Sequence, residues 1–440
     1  MALGGGNFTT QNKILPGSYI NFISALAASS QLSDRGFVAV PLELDWGKSG
    51  EVFRVDAADV EKDSLKLFGY EYSDTKMKNI REIFRNARTL FAYRLNGGIA
   101  ATVTTGALTA TARHSGTRGN DLKVVIAESV DNVGLFEVST YLGTKLIETQ
   151  VVADADSLAD NDFVVFTGTG ALAETAGVDL AGGSNKAAVD GADYQAFLDK
   201  IEAYSFNVLG CPSTTAEVIA LFVAFTKRLR DTNGIKFQTV AYRTESADYE
   251  GVISVQNTVT DAGANAAALI YWVAGAAAGC PVNRSNTNKE YDGEYTVNVD
   301  FTQVELEQAI QAGKLMFHRV GETIRLLQDV NTFTSFAADK SADFASNQVI
   351  RVLDQIGNDV AVLFNTRYLG RIQNNASGRI SFWNDLVRYG RELETIQAIE
   401  GFAPADVVVQ AGEAKNSVVV NLPITPVSAL EKLYMTVVVN

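Results

Sequence analysis

Phe206-Asn207-Val208-Leu209 and Phe237-Gln238-Thr239-Val240-Ala241-Tyr242 flank a helix-length stretch, Thr214 to Arg230, whose apolar positions are Ala, Val, Ile, Leu and Phe. Short apolar runs bounded by turn residues read as buried strands. Lys227, Arg228 and Arg230 gather at the end of the helical stretch, where cations complement the helix dipole, and Asn233-Gly234 stops it. The same alternation continues on both sides. Asp193 to Tyr204 reads as a helix, Val252-Ile253-Ser254-Val255 as a strand, and the uncharged, Ala-rich segment from Ala262 to Asn283 as a covering helix. That segment is long enough to span a bilayer, but Ala, Gly, Asn265 and Pro281 give it a weak transfer energy, so it reads as a buried helix. Strand, helix, strand repetition implies a mostly parallel sheet with helices on both faces.

Working outward, Phe37-Val38-Ala39-Val40, Val52-Phe53-Arg54-Val55 and Thr89 to Leu95 read as further strands. Between the last two, Met77, Ile80, Ile83 and Phe84 have helical spacing, with Ser73 or Asp74 placed as a cap. Composition then shifts to Thr, Val, Ala and Gly. Alternating runs at Lys123 to Ala127 and Leu135 to Tyr141, with turn residues between them, predict a small all-β domain inserted into the α/β domain. Beyond it, Thr302 and Glu305 form a capping-box pattern, and Ile324 to Leu327 reads as a strand. Val349, Val352, Leu353, Ile356, Val360 and Leu363 make one helical stripe, a second helix covers Ile380 to Ile399, and valine-rich strands follow. The expected class is α/β and α+β multidomain. Its parts are an N-terminal arm (1–30), the first part of the α/β domain (31–96), the inserted β domain (97–183), the central mostly parallel α/β domain (184–335), a C-terminal α+β module (336–432) and a C-terminal arm (433–440).

Both ends read as strands without a neighbour in the sequence. Ser18-Tyr19-Ile20-Asn21-Phe22-Ile23 is one, and Tyr434-Met435-Thr436-Val437-Val438-Val439 is the other. A strand must satisfy its backbone N–H and C=O groups, so such ends either pair within their own domain or complete another molecule's sheet.

Composition narrows the function classes. With 440 residues, 47% hydrophobic and 20% charged, the chain has material for several packed cores. A net charge of −14 argues against nucleic acid as a partner. Cys211 and Cys280 lack metal-ligand spacing and read as small buried hydrophobes. Met1 to Gly6 has no basic and apolar succession of a secretory signal, which points to synthesis in the cytoplasm. The catalytic vocabulary is thin: His114 falls in a turn, His318 follows an apolar helix end, and no G-x-S-x-G elbow exists. Gly168-Thr169-Gly170-Ala171-Leu172-Ala173 matches a dinucleotide fingerprint only formally, because Gly177 and Gly182-Gly183 break the helix it needs. Gly47-Lys48-Ser49 resembles the end of a P-loop, but Leu42 stands where its first glycine belongs. No catalytic, cofactor-binding or metal residue is assigned, and the chain is not expected to be an enzyme. The alternative is an α/β hydrolase-like or nucleotide-dependent cytoplasmic enzyme using Ser213 or His318.

Pro16-Gly17-Ser18-Tyr19-Ile20-Asn21-Phe22 followed by Arg35-Gly36-Phe37-Val38-Ala39-Val40-Pro41 resembles the opening of contractile tail sheath proteins from bacteriophages and phage-tail-like bacteriocins. Ala112-Arg113 with Gly116 to Asp121 resembles the turn in that family's inserted β domain, and Phe382-Trp383 with Arg388-Tyr389 its C-terminal helix. The resemblance implies a structural subunit that stacks in hexameric rings around a tail tube and contracts to drive the tube through a bacterial envelope. It implies a subtilisin-like but non-catalytic topology for the central domain. Its implied partners are other copies of the chain, the tail tube protein, and baseplate and tail terminator proteins, with no membrane insertion. The implied location is a virion tail or phage-tail-like particle assembled in the host bacterial cytoplasm. On this resemblance Tyr19, Ile20, Asn21, Phe22 and Ile23, with Met435, Thr436, Val437, Val438 and Val439, are inter-subunit strand arms. Val407, Val408, Val409, Val418, Val419 and Val420 are the acceptor sheet, and Arg379, Arg388 and Arg391 face the tube.

Overall fold

The computed structural model describes residues 32–244 and 247–439; the N-terminal run Tyr19 to Ile23 lies outside them. By contacts the chain divides into a larger unit, containing 33–358, 394–401 and 424–440, and a smaller one built from 359–393 and 402–423.

The larger unit is organised by a seven-stranded sheet in the order Lys314–Leu315, Val252–Val255, Gln238–Tyr242, Val208–Cys211, Phe37–Leu42, Thr89–Arg94, Val52–Asp56. Every neighbouring pair is parallel except the last, where Val52–Asp56 runs antiparallel to Thr89–Arg94. The mostly parallel α/β expectation holds. Successive strand residues face opposite ways, and two cores result. Val38, Val40 and Leu42 join one cluster with Ile80, Ile83 and the helix Leu269–Gly279. Ala39, Phe91 and Tyr93 join the other with helices Gly191–Ile201 and Ala216–Lys227. With both faces covered, all six residues of Thr89–Arg94 are buried, which explains why parallel strands read as unbroken apolar runs.

Helix Leu269–Gly279 is the core of the uncharged segment, and ten of its residues are buried. Among the described residues no helix is long and apolar enough to cross a membrane. Gly275 sets its packing distance: a Cβ there would lie 2.4 Å from the Ile83 carbonyl oxygen, so the helix lies directly against Lys78–Phe84.

The insertion is two facing sheets. One has four strands, Thr175–Asp179, Leu122–Glu128, Phe136–Leu142 and Lys145–Val152; the other has three, Thr102–Thr105, Leu108–Ala112 and Val164–Gly168. Leu122, Val124, Ile126, Ala110 and Val164 fill the space between them. Its two chain crossings are bonded to each other, with Ile99 N donating to Ser184 O at 2.9 Å and Ser184 N to Ile99 O at 3.0 Å.

One detail differs from the sequence reading. His318 does not follow a helix end but sits in strand Phe317–Val320, opposite Arg325 in a hairpin with Thr323–Leu326; the turn Gly321-Glu322 makes the hairpin, and Gly321 has φ +60°. The capping box at Thr302 and Glu305 does open a helix, Gln303–Gln311.

Buried ion pairs fix the start of helix Asn347–Leu363 in the larger unit. Arg230 forks onto Asp354 at 2.6 and 2.8 Å, and Arg351 Nη2 meets Asp329 at 2.5 Å. Burial opposes the charge on Asp329, but Arg351 beside it and hydrogen bonds from Asn286 N and the Asn347 side chain hold its carboxyl below the usual range.

In the smaller unit, the helix Ala376–Thr395 contributes Phe382, whose ring packs at a tilt against Phe364 and Tyr368. Buried polar contacts reinforce this: Tyr389 Oη donates to Asp359, and Tyr368 Oη donates to Asp385. Gly390 gives the Phe402 ring room, since a Cβ there would lie 2.3 Å from it.

Candidate functional site

The valines at 407–409 and 418–420 fold as a small hairpin in the smaller unit. Val408–Ala411 and Val418–Asn421 pair antiparallel, with Val409 opposite Val420 and Gln410 opposite Val419. The Gly412–Ser417 loop closes on itself, with Gly412 N donating to Ser417 O at 2.9 Å and Ser417 Oγ to Ala414 O at 2.8 Å. Two side chains moor the hairpin. Trp383 Nε1 donates to Val407 O at 2.9 Å, and Asn374 Nδ2 donates to Lys415 O at 3.0 Å and Ser417 O at 2.8 Å. Val407 is buried, whereas Val408, Val419 and Val420 are exposed.

A two-stranded sheet is marginal alone and leaves a row of unpaired backbone groups on each outer edge. Among the described residues this sheet has no third strand.

The C-terminal segment supplies a strand-patterned run of the same chemistry. Within the larger unit it is held as far as Glu431: Val427 N donates to Ala398 O, Ala429 N to Gln348 Oε1, and Glu431 accepts from Thr287 Oγ1 and Gln328 Nε2. Beyond that hold, Leu433, Tyr434, Met435, Val437, Val438 and Val439 are each at least 71% exposed. The run from Met435 to Val439 joins no ladder with the described residues.

The three arginines on helix Ala376–Thr395 do not share one face. Arg388 and Arg391 are three residues apart and exposed. Arg379, half-buried near the other end, donates to Asn374 O at 3.2 Å and Asn374 Oδ1 at 3.0 Å, and at 100° per residue it lies opposite Arg388. Arg388 donates to Asp385 at 2.6 Å.

Two features singled out in the sequence meet elsewhere. Gly47-Lys48-Ser49 and His114 line one open cleft of about 1080 Å³ in the larger unit. Its charges are largely matched in pairs, Lys66 with Asp162 at 2.7 Å, Lys48 with Glu51 at 3.2 Å and Arg113 with Asp160 at 3.6 Å. His114 packs edge-on to Trp46 at 5.1 Å; burial, then nearby Arg113 and Arg94, push its imidazole down to about 4. It is neutral at physiological pH. Between 6.5 and about 4 the unfolded chain takes up a proton that the folded chain refuses, so this contribution to stability falls as pH drops through that window. Replacing His114 with Gln should flatten the pH dependence of the melting temperature between those values; an unchanged slope would contradict the neutral, packed imidazole.

Behind the cleft, Arg94 is the residue that sequence reasoning passed over. It is 1% exposed and donates to Ser115 O at 2.6 Å, Gly47 O at 3.1 Å and Asn185 Oδ1 at 2.9 Å, joining the sheet to a turn within the insertion and to the chain at its exit. Burial lowers it to about 10, and Asp45 opposes that drop. A lone Arg inside an apolar run was the available signal. No group of three or more His, Cys, Asp or Glu among the described residues is arranged to hold a metal ion.

Four sequence models match the chain in succession. They are the tail sheath protein Gp18 domain III N-terminal region at 35–95, the phage tail sheath protein beta-sandwich domain at 96–185, the phage tail sheath protein central domain at 187–332 and the phage tail sheath C-terminal domain at 339–440. The crystal structure of a sheath tail protein from Desulfitobacterium hafniense is 41% identical, over 94% of this chain and 98% of that one, with a TM-score of 0.83. The chain belongs to the phage tail sheath protein family. The phage-like element PBSX protein XkdK of Bacillus subtilis is 32% identical over the full length of both chains. The helical sheath of the anti-feeding prophage in its contracted state shares the fold, at 13% identity over 97% of this chain and 99% of that one, with a TM-score of 0.58. The opening and insertion motifs of the sequence thus pointed to the right family, and its members are structural components of phage tails.

Proposed function

We propose that this sheath protein polymerises into a contractile sleeve of stacked hexameric rings around a tail tube. Terminal arms link the copies by adding strands to the hairpin of a neighbouring subunit. The observation that carries this reading is a pair of complementary loose ends: a hairpin with open edges at Val408–Ala411 and Val418–Asn421, and an exposed apolar run from Leu433 to Val439. The N-terminal run Tyr19 to Ile23 is proposed as a second arm of the same kind.

Contraction would follow if the sleeve assembles in a metastable state and reaches better-matched subunit interfaces by rigid-body rotation. The central sheet then acts as a rigid scaffold, not a catalytic one. Tail tube, baseplate and terminator proteins are the proposed partners, Arg388 and Arg391 the proposed tube contacts, and the particle is proposed to assemble in the bacterial cytoplasm.

Purified full-length protein at rising concentration should pass from soluble protomers to long hollow tubes in negative-stain electron microscopy. Monodisperse globular particles at every concentration, with tail tube protein present, would refute the polymer reading.

A further inference from the structure

Beside the start of strand Val418–Asn421 the smaller unit carries a groove of about 470 Å³. Phe364, Leu369, Ile372, Phe382 and Val418 give it an apolar part, Arg379, Lys415 and Asn416 a polar one, and Leu369 and Ile372 remain 59% and 48% exposed. The groove is built rather than incidental. A Cβ on Gly378 would lie 2.1 Å from Gln373 O, so the 372–373 turn is pressed onto the first turn of the helix, and Asn375 Oδ1 accepts from Gly378 N at 2.8 Å. Asn374 then ties that turn to the hairpin loop through its two carbonyl bonds.

Val418 lines the groove, so a strand bonded to the free edge of Val418–Asn421 would present every second side chain on the groove side. The C-terminal run has two unlike faces. Leu433, Met435, Val437 and Val439 form one and are all apolar; Tyr434, Thr436 and Val438 form the other, which holds the run's only hydroxyl groups. A slip of one residue would exchange the faces, and burial of the wholly apolar one resists that slip.

We propose that the groove receives the Leu433, Met435 and Val437 side of the C-terminal arm from a second copy of this chain, and so sets the register of the added strand. The inference rests on the strand-link reading and adds the seat and the facing of the arm. The groove meets the hairpin at Val418, and both lie within one unit. The contact is heterologous, arm on one copy and groove on the next, so its repetition builds rings where the rotation closes and helical filaments where it does not.

The test is a cysteine scan in the full-length chain, where native Cys211 and Cys280 are both buried. Leu369→Cys is combined in turn with a cysteine at each position from 433 to 439, and inter-copy disulfides are read on denaturing gels after mild oxidation of assembled material. A disulfide requires Cα atoms within about 7 Å and a strand rises about 3.3 Å per residue, so the yield should peak at one or two odd positions and fall about tenfold at their even neighbours. Equal yields, or higher yields at even positions, overturn the facing. Sleeves that form normally with no cross-link at any position overturn the groove as the seat while leaving the polymer reading intact. A second variant, Leu369→Ser with Ile372→Ser, changes side chains already exposed in the protomer and should raise the concentration needed for sleeves roughly tenfold with an unchanged melting temperature. An unchanged assembly concentration overturns the proposal. Sleeves formed at the normal concentration by a chain lacking 433–440 would overturn the strand-link reading itself.

Discussion

Deleting residues 433–440 should leave a folded, soluble protomer that no longer builds sleeves. The two halves of that expectation come from different terms. Folding should be untouched, because Leu433 to Val439 stay exposed and the last described anchors of the segment are at Ala429 and Glu431. Assembly should collapse, because a strand added to an open edge forms several backbone hydrogen bonds, each worth about 1 kcal/mol net, and buries apolar side chains worth about 1.5–3 kcal/mol each. Even after ordering the arm costs about 1–2 kcal/mol per residue, the remainder, on the order of a few kcal/mol per link, separates polymer from protomer by a hundredfold or more in concentration. Sedimentation and negative-stain imaging across a concentration series would measure it, with circular dichroism as the check on folding. Removing residues 1–24 should have the same effect if the N-terminal run is the second arm. Long tubes from either truncated chain at the normal concentration would remove the basis for the strand links.

The elements legible in the sequence were those whose burial is decided locally. Phe37–Leu42, Val208–Cys211 and Gln238–Tyr242 are covered on both faces, so their apolar runs could be recognised without knowing their neighbours. Helix Val60–Phe68 was missed because it buries only Val60, Ser64 and Phe68 amid charged residues, and Lys145–Val152 because it exposes most of its side chains. Thr102–Thr105 and Leu108–Ala112 were also unmarked, since Thr and Ala carry little strand signal until a second sheet covers them. In the small hairpin the valine strands at 408–411 and 418–421 were visible, but their moorings were not. Asn374 and Trp383 reach carbonyls 43 and 24 residues away, and a backbone acceptor leaves no trace in composition. The facing of the three arginines could have been derived from helical spacing alone, which separates Arg379 from Arg388.

The same reasoning explains why the largest stability effect should come from a pair that no motif announces. Asp329→Ala should destabilise the larger unit by about 3–5 kcal/mol, because it leaves the Arg351 guanidinium charged, 1% exposed and without its carboxylate. The loss should exceed that of any exposed pair, such as Lys48 with Glu51, whose removal costs at most about 1 kcal/mol. Arg351 has little to fall back on: its Nε and Nη1 already lack partners, so only the Arg284 carbonyl would remain bonded to Nη2. Acid should mimic the mutation. The folded carboxyl of Asp329 titrates below its ordinary 3.8, so the stabilisation is complete above that value and lost as pH falls through the lower, folded one. Replacing both partners, Asp329→Leu with Arg351→Met, removes the desolvation cost together with the attraction and should recover most of the loss. Urea unfolding of the single and double variants would separate these terms. If Asp329→Ala proved no worse than the double replacement, the pair would not be the anchor at the point where helix Asn347–Leu363 leaves the larger unit, and Arg230 with Asp354 would have to hold that end alone.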